Sequence, residues 1–150
     1  MREAIRLAIE GLNAGRGGPF GAVVVKDGQI IGRGCNCVTS TNDPTAHAEV
    51  LAIRDACSRL STFHLDGCQL YTSCEPCPMC LAAIYWARLK RLYYSATAAD
   101  AAAAGFDDAF IAREFALPPT KRSIATQRLL ENEAATPFLA WQDKPDKVPY

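Results

Sequence analysis

Four residues in two short stretches have the types and spacing for metal-assisted proton chemistry. His47 and Glu49 lie in Thr45-Ala46-His47-Ala48-Glu49, and Cys77 and Cys80 lie in Glu75-Pro76-Cys77-Pro78-Met79-Cys80. Cys77 and Cys80 stand at i, i+3, so on a helix they share a face and their sulfurs can grip one ion. In a helix's first turn the N-terminal dipole stabilises thiolates. Pro76 and Pro78 fit such a start, where a missing amide donor costs little. One imidazole and two thiolates formally neutralise a Zn²⁺ ion and leave a fourth tetrahedral position open. Three protein ligands plus water is a catalytic count, whereas a structural site closes with four. Zinc lowers the pKa of its water from about 15.7 towards 7. Glu49, two positions beyond the histidine, can reach that water without being a ligand, take its proton and redeliver it.

Each piece alone has an ordinary explanation. A lone C-x-x-C serves equally as a structural or redox pair, and a lone H-x-E is commonly coincidence. Together, 30 positions apart, with a proline before the first cysteine and both pieces opening helices, they point to a metal site. Cys74 is the nearest candidate for a fourth, closing ligand, but it ends a strand three residues before Cys77 and is expected to pack. Cys35, Cys37, Cys57 and Cys68 are expected to be core or surface thiols, and His64 a loop residue.

The elements that must position these residues follow from periodicity. Ile5, Ala8, Ile9 and Leu12 form the stripe of an amphipathic helix, stopped by Gly15, Gly17 and Gly18. Two β-rich runs flank Asp27-Gly28, a hairpin signal. A polar loop, Thr39 to Pro44, follows. Asp43-Pro44 is expected to open a helix running to about Leu60. Gln69 to Ser73 reads as a strand, Cys77 to Leu89 as a helix and Arg91 to Ala96 as another strand. This order favours an α/β sheet covered on both faces. Beyond Thr97 come an alanine-rich stretch, Gly105-Phe106-Asp107-Asp108, a helix to about Ala116, the break at Pro118-Pro119, and a last segment of a short FLAW helix and the tail KPDKVPY.

Composition narrows the classes. At 150 residues, 49% apolar and 21% charged, the chain suits one globular domain and not a disordered chain, a collagen repeat or a coiled coil. No run of about 18 apolar residues suggests a membrane span. Lysine plus arginine equal aspartate plus glutamate at 16 each, so nothing attracts a polyphosphate globally, and no nucleic-acid partner is expected. Seven cysteines, an odd number behind an N-terminus unlike a signal peptide, suggest reduced thiols and a cytoplasmic location.

H-x-E followed by P-C-x-x-C is the known signature of zinc nucleobase deaminases. On NAGRGGPFGAVVVKDG, TNDPTAHAEVLAIRDAC, LYTSCEPCPMCLAAIYWAR, AGFDDAF and the PFLAW…Y tail, the chain resembles the cytidine deaminase-like superfamily. Within it, AGFDDAF and the terminal tyrosine resemble the bacterial guanine deaminases. The resemblance implies a three-layer α/β/α fold around a five-stranded mixed sheet, a single domain over 1–150. It also implies a homodimer whose tail, from about 137 to 150, crosses to the neighbour and closes its site. It implies one zinc per subunit on His47, Cys77 and Cys80, with Glu49 as proton shuttle. Asn36 would hydrogen-bond the base, Phe20 would pack near its ring, and Ala48 could offer its amide. Asp108 and Tyr150 would complete the pocket.

The implied reaction is attack of zinc-bound hydroxide at C2 of guanine, giving xanthine and ammonia. A free base carries an imidazole N–H that a nucleoside lacks. A carboxylate acceptor there, for which Asp108 is the candidate, would favour the base. On residues alone, Asp107-Asp108 reads as a helix N-cap pair, Tyr150 as a frayed terminus and Phe20 as core, and Asn36 equally as a turn residue. Rival readings are a tRNA adenosine deaminase, whose surface would have to track phosphate, a cytosine deaminase, and a non-catalytic zinc module for protein binding. Arg88, Lys90 and Arg91 read as solvated charges around a strand start, and Glu49 argues against the module.

Overall fold

The computed structural model describes residues 1–149; the expectation about Tyr150 lies outside the described residues. Helix α1 (Arg2–Asn13) turns Ala4, Ala8 and Gly11 inward. Strands β1 (Gly21–Lys26) and β2 (Gln29–Cys35) are joined through Asp27 and Gly28. Both turn residues have positive φ, 48° and 78°, the backbone of a tight two-residue hairpin. A one-turn helix α2 (Val38–Thr41) occupies part of the expected loop. Helix α3 (Ala48–Leu60), strand β3 (Gln69–Cys74), helix α4 (Pro78–Trp86) and strand β4 (Arg91–Ala96) follow. Next come α5 (Ala98–Ala103), α6 (Ala109–Ala116), two single 3₁₀ turns and α7 (Thr136–Asp143).

Two boundaries differ from expectation. Asp43-Pro44 does not open a helix: Asp43 Oδ1 accepts from the Thr45 N–H at 2.8 Å and hydroxyl at 2.7 Å, closing a local turn. The helix waits until Ala48, with His47 as its N-cap. At the other boundary α4 stops at Trp86, short of Leu89, because Arg88 adopts a left-handed backbone with φ 57°.

The sheet runs β2-β1-β3-β4. β1 is antiparallel to both neighbours, and β3 is parallel to β4, so the sheet is mixed. It has four strands where five were expected. After β4 the chain turns at once into α5, held by a reciprocal capping box between Thr97 and Asp100. The next segments are helices and proline-broken turns, so the outer edge of β4 gains no strand among the described residues.

Helices cover both faces. A Cβ on Gly21 would meet the Ala4 carbonyl of α1 at 2.2 Å. The next residue, Ala22, points the other way and pairs with Gly34, where a Cβ would meet the Ala48 carbonyl of α3 at 2.2 Å. Glycine at 34 therefore lets α3 lie directly on β2, which brings its first turn to the end of that strand. On the α3 side Ala22, Val24, Ala48, Ala52, Leu70 and Ile84 form one buried cluster, so α4 packs on the same face.

The chain divides into two compact units, one reaching Ile111 and one beginning at Ala112. The first holds the sheet and the whole buried core. In the second no described residue is buried, and Ile124, Leu129, Leu130 and Phe138 are each 70% exposed or more. Its internal ties are local, such as the Ser123 N–H and hydroxyl donating to Glu114 at 2.7 and 2.8 Å. Among the described residues no helix is long and apolar enough to cross a membrane.

Candidate active site

Two helix N-termini meet below the ends of β2 and β3. His47 caps α3 and Cys77 caps α4, both in extended backbone conformation. Cys77 accepts the Cys80 backbone N–H on its sulfur at 3.4 Å, so the cap itself fixes the i, i+3 pair. His47 Nδ1 lies 3.6 Å from Cys77 Sγ and 3.5 Å from Cys80 Sγ. All three ligand atoms fall within 4.8 Å of one another. Zn–S of about 2.3 Å and Zn–N of about 2.0–2.1 Å at tetrahedral angles place nitrogen and sulfur about 3.6 Å apart, so the trio fits zinc. Cys74 is buried and sends its thiol to the Thr97 carbonyl at 3.5 Å, outside the cluster.

The electrostatics favour a first thiolate on Cys77. The hydrogen bond from Cys80, then that from His47, holds its thiol down at about 4, while the same contact with Cys77 pushes Cys80 up. A metal ion in the trio would remove both protons. The Cys77 sulfur raises the pKa of His47, against burial. Glu49 is 6% exposed, and burial pushes its carboxyl up. A carboxyl raised in this way holds a proton more readily than a solvated one, which suits a group that both takes and returns protons.

A cavity of about 370 Å³ opens on this cluster, lined by His47, Glu49 and Cys77 and, from elsewhere in the chain, Phe20, Asn36, Phe106 and Asp108. That volume suits a small ring compound. Phe20 and Phe106 meet edge to face, centroids 4.9 Å apart at 87°. Asp107 and Asp108 separate in role. Both line the cavity, but the Asp107 carboxylate is committed, Oδ1 accepting the Ala109 N–H at 2.9 Å at the start of α6, and the Asp108 carboxylate makes no such bond. Burial raises the Asp108 carboxyl, and the Cys77 thiolate adds to the effect. Ala48 is fully buried and does not line the cavity; its N–H, the first of α3, has no partner among the described residues.

The structure thus brings His47, Glu49, Cys77, Cys80, Phe20, Asn36 and Asp108 together, and leaves Ala48 just behind them. Phe106 and Glu75 also line the cavity and were not singled out by sequence reasoning. Glu75 Oε2 accepts the Ala98 N–H at 3.0 Å and so ties the cysteine loop to α5. Phe106 sits inside the AGFDDAF block, which was its only signal. Of the remaining cysteines none is in a disulfide. His64 pairs with Asp66, Nδ1 to Oδ2 at 3.1 Å, on the surface. Arg88, Lys90 and Arg91 are exposed.

Comparison with known proteins agrees with this geometry. Residues 1–96 match the family described as the cytidine and deoxycytidylate deaminase zinc-binding region. The chain is 57% identical over 150 residues to a guanine deaminase of Bacillus subtilis, covering 100% of this chain and 96% of that one. The crystal structure of the Bacillus subtilis guanine deaminase superposes with a TM-score of 0.97 over 99% of this chain and 95% of that one. A tRNA-specific adenosine deaminase of Aquifex aeolicus is 50% identical over 78 residues, 52% of each chain. With the zinc-binding region matched across its sheet, its two capped helices and its metal trio, the chain belongs to the cytidine and deoxycytidylate deaminase zinc-binding family.

Proposed function

We propose that this protein is a guanine deaminase, hydrolysing guanine to xanthine and ammonia in cytoplasmic purine breakdown. One zinc ion per subunit on His47, Cys77 and Cys80 supplies Lewis acidity and a nucleophile drawn from water at neutral pH. Glu49 takes one proton from the attacking water to a ring nitrogen, and then carries the second, from the C2 hydroxyl so formed, to the leaving amine. A C2–O bond forms and the C2–N bond breaks. Asn36 hydrogen-bonds the base, Phe20 packs against its ring, and Ala48 offers its free N–H. Asp108 accepts the imidazole N–H.

The observation that carries this reading is Asp108. It is a carboxylate in the same cavity as the metal trio, contributed from beyond the zinc-binding region. Likeness to the guanine deaminase continues through this part, whereas likeness to the tRNA deaminase spans only 78 residues. A single deaminase domain working as a homodimer, with residues from about 137 through Tyr150 closing the partner's cavity, accounts for the apolar side chains left exposed after Ile111. Parallel assays of the zinc-loaded protein on guanine, adenine, cytosine and guanosine, read by absorbance and ammonia release, test the reading. Guanine alone should turn over well; no ammonia from guanine would overturn it.

A further inference from the structure

Asn36 follows the last residue of β2, with its side-chain oxygen already occupied. Oδ1 accepts two backbone N–H groups, those of Gly18 and Val38, each at 3.2 Å. A carboxamide offers two acceptor lone pairs on oxygen and two donors on nitrogen. Here the lone pairs are both committed, and Nδ2 has no partner among the described residues. The residue is 6% exposed, and it lines the cavity. The NH₂ end is therefore the end offered to a ligand. Turning the amide over would set its two donors against two backbone donors, so the backbone decides the orientation.

What makes this arrangement fit is the residue before Gly18. A Cβ on Gly17 would stand 2.3 Å from Asn36 Oδ1, 2.7 Å from its carbonyl oxygen and 3.0 Å from its carbonyl carbon. The last two are backbone atoms and cannot rotate away. Any side chain at 17 must push Asn36 off or lift the Gly18 N–H from Oδ1. We propose that Gly17 is a positioning residue for ligand recognition: it lets the Gly18 turn clamp the Asn36 oxygen, so that Asn36 acts only as a donor. The site then takes a heterocycle presenting a carbonyl oxygen or an unprotonated ring nitrogen at that point. A ring with an amino group there meets donor against donor. The identity of that heterocycle rests on the proposed guanine reading, but the clamp belongs to the free chain.

The test has two arms on the full-length, zinc-loaded enzyme. In the first, Gly17→Ala, Asn36→Ala and the double variant are compared in kcat/KM for guanine. Each single change should lower it by about tenfold or more, and the double variant should be no worse than Asn36→Ala within about threefold. Multiplying effects would mean that Gly17 acts through the fold at large, and would overturn the proposal. The second arm needs no substrate: backbone amide exchange at Gly18 and Val38. Protection should be lost in Asn36→Ala and Gly17→Ala. It should persist in Asn36→Asp, whose carboxylate can accept the same two bonds but has no N–H to donate, and which should lose guanine turnover. Full protection in Gly17→Ala overturns the clamp, and full turnover by Asn36→Asp overturns the donor role. If wild type releases no ammonia from guanine, the functional reading fails while the exchange pattern still decides the clamp.

Discussion

The two ends of the cavity are built differently. At the metal end His47, Glu49, Cys77 and Cys80 come from the first residues of two helices, and the caps that start those helices also aim the ligands. At the other end Phe20, Asn36 and the pair Phe106 and Asp108 come from three separated stretches, joined by a ring contact and a clamped amide. Local backbone geometry fixes the first end, and only tertiary packing assembles the second. Substitutions at the metal end should therefore act nearly all or none. Substitutions at the other end should grade the reaction and leave the metal in place.

The largest expected effect is loss of the metal. Cys80→Ala removes a fully buried ligand and leaves His47 and Cys77 without their third partner. Zinc should fall well below one equivalent and turnover should vanish, measured by metal analysis beside an ammonia assay. Glu49→Gln should come next. It keeps the shape and removes the proton carrier, so zinc should stay at wild-type content while kcat drops by about 10²–10⁴-fold. Loss of zinc in Glu49→Gln would erase the distinction between ligand and shuttle. Asp108→Asn probes the opposite end. Its kcat/KM for guanine should fall by about 10–100-fold with zinc unchanged, and wild type should be a very poor guanosine deaminase. Equal rates on guanine and guanosine would remove Asp108 from base reading.

This difference also decides what the sequence could reveal. Cys77 and Cys80 were legible because their spacing maps onto a helix start through local rules, and His47 and Glu49 because H-x-E completes the same signature. The start of α3 was not legible: Asp43-Pro44 is a sound helix opening by local rules, yet Asp43 closes a turn on Thr45 and His47 takes the cap. Asp107 and Asp108 could not be told apart, because both line the cavity and only the folded loop decides which carboxylate is taken up by the start of α6. Phe106 itself stayed hidden because its partner, Phe20, is distant in the chain. The fifth strand was a family expectation that no residue pattern supported, and the chain after β4 forms helices instead.

A charge cluster away from both ends supplies the control. Arg6 forks onto Glu3, Nε to Oε2 at 2.8 Å and Nη2 to Oε1 at 2.7 Å, and also pairs with Glu10. Arg33 reaches Glu3 from β2 at 3.3 Å, tying α1 to the hairpin. The Arg6 hydrogen bond, opposed by burial and reinforced by Arg33, holds the Glu3 carboxyl at about 2, below its ordinary 4.5. A carboxyl lowered on folding contributes stability that is fully present above about pH 4.5 and is lost as pH falls towards 2. The group is partly solvated, so screening limits the contribution to under about 1 kcal/mol. Glu3→Gln should therefore lower the melting temperature slightly at pH 7, with the gap to wild type closing as the pH approaches 2. It should leave zinc content and kcat/KM alone. A change in either would show that α1 helps set the cavity, and that its two ends are less separate from the rest of the fold than their construction implies.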